Sequence, residues 1–208
     1  MNKTTNSRKQ IYLDLFKNNK NIYKNKEILL LFNLKPKLFN NLKKSVQKFI
    51  GKTYNRINKK KLPINEVYKQ KYLNKIVNLP NVTPNGAFYP KVENIEEYNK
   101  VIRRLIIILK ELDIFNNIHL AATPTVRIVK GKVSKKLKSR PFATGKLHSD
   151  AWVGHKNDAI ISIPILGDIE NTNVRFFSPK IVSKDFLKKI ENFEMGKKLF
   201  KGKKYIGR

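Results

Sequence analysis

Three histidines, His119, His148 and His155, supply all the imidazole chemistry in these 208 residues, and there is no cysteine. One of them sits in the string Gly145-Lys146-Leu147-His148-Ser149-Asp150-Ala151-Trp152-Val153-Gly154-His155. On an extended backbone alternate side chains share a face, so His148, Asp150 and Trp152 project together while Leu147 and Ser149 point the other way. A neutral imidazole and a carboxylate two residues apart can take adjacent positions on an octahedral ion. One more histidine from another strand completes a facial triad with open positions, the donor set of non-haem Fe(II) oxygen chemistry. The same spacing also fits a hydrogen-bonded His–Asp pair at a strand end. His155 follows Asp150 by five residues, beyond a glycine turn, and reaches the same ion only through a local loop. His119 closes a long helical segment, where a cation at the helix end is an ordinary role.

Other constellations are scarce. The nine glycines are scattered, and none forms a nucleophile elbow, a phosphate-binding loop or a dinucleotide fingerprint. Without cysteine, a disulfide scaffold, a thiolate zinc site and a cysteine nucleophile are excluded. Arg127, Arg140, Lys146 and Arg175 fall on expected strands or at their ends. Arg127 alternates with Thr125 and Val129, and Arg175 with Phe177, so either could face inward and pair with a carboxylate or a phosphate. A solvated strand face is the commoner use of both. Phe88, Tyr89 and Trp152 are able to stack on a sugar ring, although core packing is the usual role of such side chains.

The charge is extreme. Lys and Arg number 45 against 15 Asp and Glu, a formal net charge of +30. Clustered cations of that kind displace counterions from phosphates, so polyanion or nucleic-acid binding is one reading. The basic set is 37 Lys against 8 Arg, however, beside 24 Asn and 23 Ile, the composition of an A/T-rich coding sequence. Surface positions then drift to Lys and Asn without selection for binding, and the Arg forks that recognise specific phosphates are few. Residues 1–75 hold 20 basic and 3 acidic residues, residues 76–120 hold 5 of each, and residues 121–208 hold 20 and 7.

The elements that must position these groups follow from apolar spacing. Ile11, Leu13, Leu15 and Phe16, then Ile28 to Phe32, then Leu38, Phe39, Leu42, Val46, Phe49 and Ile50 suggest short amphipathic helices. Pro36 fits the first turn of the one that ends near Gly51. A further helix is expected from about Pro63 to Val77, carrying Ile64, Val67, Tyr68, Tyr72 and Ile76. Residues 78–91 combine three prolines with an Asn-Gly turn and read as an ordered loop. The clearest helix runs from about Glu93 to Ile114, with Ile95, Tyr98, Ile102, Leu105, Ile106, Leu109 and Leu112 on one face and Val101 and Ile108 widening it. From residue 121 the period changes to two. Thr123–Val129, Phe142–Asp150, Asp158–Leu166 and Asn173–Phe177 read as strands, and Lys184–Phe193 as a last helix. Pro164 points to an edge, a bulge or a strand end. Helices first and strands second is the order of an α+β fold, with a helical lobe over residues 1–120 backing a sheet over residues 121–208. The longest apolar runs, Ile28–Phe32 and Leu105–Leu109, are far shorter than a membrane span requires, and the first ten residues contain no apolar signal core. A cytoplasmic location is expected.

A longer string goes further. Arg140-Pro141-Phe142-Ala143-Thr144-Gly145-Lys146-Leu147-His148-Ser149-Asp150-Ala151-Trp152-Val153-Gly154, then Ile161-Ser162-Ile163-Pro164-Ile165-Leu166-Gly167-Asp168-Ile169-Glu170-Asn171-Thr172 and Val174-Arg175-Phe176-Phe177-Ser178-Pro179, resembles the sugar-biosynthesis branch of the Fe(II)/2-oxoglutarate dioxygenase superfamily. The nearest likeness is to streptomycin-biosynthesis-type proteins, and it covers residues 121–208. The resemblance implies a double-stranded β-helix, the jelly-roll or cupin-like barrel, with Fe(II) and 2-oxoglutarate as cofactors. It makes His148 and Asp150 the first two iron ligands and Trp152 a wall of the pocket. The implied substrate is a sugar, sugar nucleotide or glycan precursor of antibiotic or surface-polysaccharide biosynthesis. The family pattern also calls for a second ligand histidine on a later strand and an arginine for the distal carboxylate of 2-oxoglutarate. Neither follows His155 in the expected order, so the barrel is expected to be incomplete at its C-terminus, as a truncated or an inactive form. The alternative is a Lys-rich polyanion- or nucleic-acid-binding protein without catalysis.

Overall fold

The computed structural model describes residues 3–26, 29–59, 61–83, 86–115, 123–128 and 160–167. The element order is α1 (Lys3–Phe16), β1 (Ile22–Lys26), β2 (Leu29–Phe32), α2 (Pro36–Asn58), α3 (Gln70–Ile76), β3 (Ala87–Phe88), α4 (Ile95–Glu111) and β4 (Val126–Arg127), with 3-10 turns at Ile64–Glu66 and Val92–Asn94. Helices with two small antiparallel sheets, β1–β2 and β3–β4, make this an α+β arrangement among the described residues. No helix among them is long and apolar enough to cross a membrane.

Helix α2 starts where the sequence says it must, because Pro36 fixes φ and lacks the N–H that a first turn leaves unpaired. It does not stop at Gly51. The helix runs on to Asn58 and ends with Lys59 in the left-handed region at φ 50°. Gly51 is retained inside it because the chain comes close there: a Cβ would stand 2.8 Å from Val67 Cγ2. That contact also explains the segment after α2. The continuous helix expected over 63–77 is broken into a 3-10 turn and α3, which turns Val67 into the core with no exposed surface and leaves Ile76 equally buried. The Asn55 side chain ties the intervening strand of chain down, accepting from the Leu62 N–H at 2.6 Å and donating to the Leu62 carbonyl at 3.1 Å.

The run Ile28–Phe32, expected to be helical, instead supplies β2. Its residues pair with β1 as Ile22 with Phe32, Lys24 with Leu31, Asn25 with Leu30 and Lys26 with Leu29, with an irregularity between Ile22 and Lys24. A run of five apolar residues has no readable period, and Pro36 close behind leaves no room for a helix of useful length. Leu30 and Phe32 pack on the core while Leu31 is exposed, and Phe32 meets Phe16 of α1 edge-on at 5.9 Å between ring centres.

Helices α2 and α4 form the main contact of the molecule. Phe49 on α2 has 0% exposure and meets Phe88 of β3 at 5.0 Å and 81°, and Tyr98 of α4 at 5.5 Å and 51°. A chain of buried polar groups runs beside this cluster. The Lys91 N–H donates to Asn94 Oδ1 at 2.6 Å, Asn94 Nδ2 to Thr53 Oγ1 at 2.6 Å, and Thr53 Oγ1 to the Phe49 carbonyl at 2.7 Å. Each buried polar atom in it therefore has a partner, which is what keeps burial from being costly. At the far end of α4, Asn19 Nδ2 donates to the Leu112 carbonyl at 2.7 Å and Asn21 Nδ2 to the Glu111 carbonyl at 3.3 Å. These amides satisfy carbonyls that a helix C-terminus leaves open. Ile95, expected on the core face of α4, is exposed at the first turn, and Glu97 is buried in its place.

The expected boundary near residue 120 is bridged. Strand β4 pairs antiparallel with β3, Ala87 with Arg127 and Phe88 with Val126. Val126 and Ile128 pack on the helical core, as do Ile163 and Ile165, while Pro164 and Leu166 face outward. Of the strand expected at 158–166, burial alternates only over 162–166, Ile160 and Ile161 being exposed, and there is no ladder pairing among the described residues. Pro164 has no N–H to donate to a ladder. The expected strands at 142–150 and 173–177, the last helix and the barrel they would build lie outside the described residues.

Two substitutions test this packing. Phe49→Ala should lower the unfolding free energy by about 3–5 kcal/mol, whereas Val92→Ala, at a side chain 89% exposed, should change it by less than about 0.5 kcal/mol. Gly86 has φ +81°, and a Cβ there would stand 2.0 Å from the Ile128 carbonyl oxygen, a backbone atom. Gly86→Ala should cost about 2 kcal/mol and loosen β4, read as faster amide exchange at Ile128, whose N–H donates to the Gly86 carbonyl at 2.8 Å.

Candidate functional site

His148, Asp150, Trp152 and Arg175, with Arg140, Lys146, His119 and His155, lie outside the described residues. Among the described residues no three His, Asp or Glu side chains are grouped so as to hold a metal ion. The His148-x-Asp150 string expected to hold iron lies outside the residues to which this applies. Arg127 is described and exposed: on β4 it shares the outward face with Thr125, while Val126 and Ile128 take the inward one. It is placed for an incoming solute, not for a buried carboxylate. Phe88 is a core residue at 1% exposure and has no surface to offer a sugar, whereas its neighbour Tyr89 is exposed.

A different set of side chains converges on the α2–α4 seam. Ser45 and Lys48 of α2 face Glu97, Lys100, Arg103, Arg104 and Ile107 of α4 across an open groove of about 410 Å³. Both helices position these groups by their inward faces: burial of Leu42, Val46, Phe49 and Ile50 on α2, and of Tyr98, Val101, Ile108 and Leu109 on α4, leaves the cations along the rim. Lys100 pairs with Glu96 at 2.6 Å. Among the described residues Lys48, Arg103 and Arg104 form no ion pair with an acidic side chain.

Glu97 closes one end of this groove. It is 2% exposed, its Oε1 accepts from the Lys52 ammonium of α2, and its Oε2 has no partner among the described residues. Burial pushes its carboxyl up, but the hydrogen bond from Lys52, a backbone hydrogen bond and the fields of Lys52 and Arg56 outweigh it and hold the group below the ordinary carboxylate value. The Lys100 ammonium holds neighbouring Glu96 below that value as well. Acids at the first turn of α4 and cations farther along match the direction of the helix dipole. The groove therefore carries a carboxylate at one end and guanidinium groups towards the other.

Sequence reading passed over Arg103 and Arg104, because two cations in a helix ordinarily mark a solvated face. The available signal is that they are the one adjacent arginine pair in a chain with 8 Arg and 37 Lys. No family model matches this chain, and neither a curated protein nor a solved structure matches it.

The buried acid gives a pH test. A carboxyl held low in the folded state contributes stability in full above its unfolded value and loses it as the pH falls through the folded value. Glu97→Gln should cost about 1 kcal/mol near neutral pH, since Lys52 at 42% exposure is partly screened. The gap between the two proteins should shrink as the pH is lowered below 4.5, the ordinary value for this group. Urea midpoints of both proteins across that range are the measurement.

Proposed function

We propose that this chain is an oxygenase-type protein, with His148 and Asp150 as ligands to Fe(II), 2-oxoglutarate as cosubstrate, and a sugar, sugar nucleotide or glycan precursor as substrate. The observation that carries this reading is the single string in which His148-Ser149-Asp150-Ala151-Trp152 is followed by Ile161–Thr172 and Val174–Pro179. In the reading, residues 121–208 belong to a double-stranded β-helix backed by the helical unit, in a cytoplasmic protein. It is supported by the inward packing of Val126, Ile128, Ile163 and Ile165 against that unit, the pattern of strands with one face on a core. Bound iron with 2-oxoglutarate supplies oxidising power towards a C–H bond; the protein supplies donors, orientation and exclusion of water. His148 would donate through a neutral ring nitrogen and Asp150 through a carboxylate, and Trp152, two residues on, would line the space beside them if this stretch is extended. Arg127 and Arg175 are candidates to pair with an anionic group in the substrate or cosubstrate pocket.

A second reading, polyanion binding without catalysis, is favoured by the net charge of +30 and by the cationic rim of the α2–α4 groove. The two separate by titration. Anaerobic addition of Fe(II) with and without 2-oxoglutarate should give saturable, cosubstrate-dependent visible absorption that falls at least tenfold in affinity in His148→Ala and in Asp150→Ala. Absorption that neither substitution alters overturns the iron reading, as does its absence. Binding to an oligonucleotide that survives both substitutions and weakens steeply with salt supports the second reading.

A further inference from the structure

The α2–α4 groove is a concave surface of the described residues that the oxygenase reading leaves unused. Its volume of about 410 Å³ falls within the usual size of small-ligand sites. Its lining is ordered by charge. Glu97 lies at one end, Lys48 and Lys100 in the middle, and Arg104 with the exposed Ile107 at the other. Glu97 to Arg104 spans seven residues of one helix, about 10 Å. Arg103 and Arg104 carry the planar donor forks that fit phosphate oxygens, in a chain whose other surface cations are mostly point-charge lysines. The buried carboxylate at the opposite end has one oxygen taken by Lys52 and the other without a partner among the described residues.

We infer that this groove binds a small phosphorylated polyol, its phosphate on Arg103, Arg104 and Lys48 and its hydroxyls towards Glu97. A nucleic-acid backbone fits less well. It needs cations that continue along its path, and here the path runs into Glu93, Glu96 and Glu97 at the start of α4. A free inorganic anion uses the Arg end alone and gains nothing from Glu97, so affinity should rise when the phosphate carries a hydroxylated ring. A ligand hydroxyl that reaches the carboxylate supplies the partner that its buried Oε2 lacks among the described residues, and like-charge repulsion keeps the phosphate at the far end. The inference rests on the groove alone and requires neither His148 nor Asp150.

The test is calorimetric titration of the full chain at 0.15 M ionic strength, where the Debye length is about 8 Å, with four probes: inorganic phosphate, glucose 6-phosphate, glucose and a twenty-nucleotide oligothymidylate. Glucose 6-phosphate should bind saturably and at least fivefold more tightly than inorganic phosphate, with glucose showing no binding. Arg103→Gln with Arg104→Gln should weaken it at least tenfold, and Lys71→Gln with Lys110→Gln, which place the same charge loss elsewhere, should leave it unchanged. Glu97→Gln should remove the advantage over inorganic phosphate; if that variant unfolds, the exposed arginine pair still decides the matter. His148→Ala should have no effect, which separates failure here from failure of the iron reading. Absence of saturable binding, equal weakening by the two double variants, or tighter arginine-dependent binding of the oligonucleotide overturns the inference.

Discussion

Phe49 of α2, Tyr98 of α4 and Phe88 of β3 meet in one aromatic cluster, and the other described elements are arranged around it. Three large rings removed from water contribute roughly 1.5–3 kcal/mol each, with edge-on geometry adding to that. The polar chain through Asn94 and Thr53 ties the start of α4 to α2, because losing that register leaves the buried Asn94 amide and Thr53 hydroxyl without each other as partners. Once α2 and α4 are fixed, Gly51 accepts Val67, the hairpin closes over Phe16, and β4 finds an edge beside Phe88.

The same seam decides where charge can be useful. A surplus of cations is destabilising by self-repulsion and is tolerable only where it is solvated or balanced. Ion pairs such as Lys35 with Glu111 and Lys69 with Glu66 lie at the surface and contribute little. Lys52 with Glu97 differs, because one partner is buried and the pair sits at the mouth of a groove. There the rigid helices hold several cations in fixed relation, and a lysine-rich surface acquires a local geometry. Tyr98 shows the complementary case: burial pushes its phenol up, and the neutral hydroxyl donates to the Pro124 carbonyl.

Much of this fold was legible in the sequence where spacing was long and regular. The apolar faces of α2 and α4, the start at Pro36 and the ordered loop before Glu93 were readable from residue type and period alone. The hairpin was not, because Ile28–Phe32 is too short for its period to be read and its fate depends on a partner strand. Nor was the break between Glu66 and Gln70, which exists to place Val67 against Gly51. As for chemistry, the His148-x-Asp150 spacing is local to the sequence, and those residues lie outside the described ones. The groove could not be seen: Lys48 and Arg104 are 56 positions apart, and nothing local in either helix says that they face each other.

What the sequence determined by itself is therefore local: two amphipathic helices, an alternating segment over 123–128, a large positive charge, and one string with metal-ligand spacing. Tertiary structure alone decided that Glu97 would be buried while Ile95 stayed at the surface, that β4 would join the helical unit through Phe88, and that arginines on one helix would face a lysine on another. The division has a physical cause. Periodicity and dihedral preference act over a few residues, whereas burial of a given side chain is set by whichever element packs against it, and that partner lies far away in the chain.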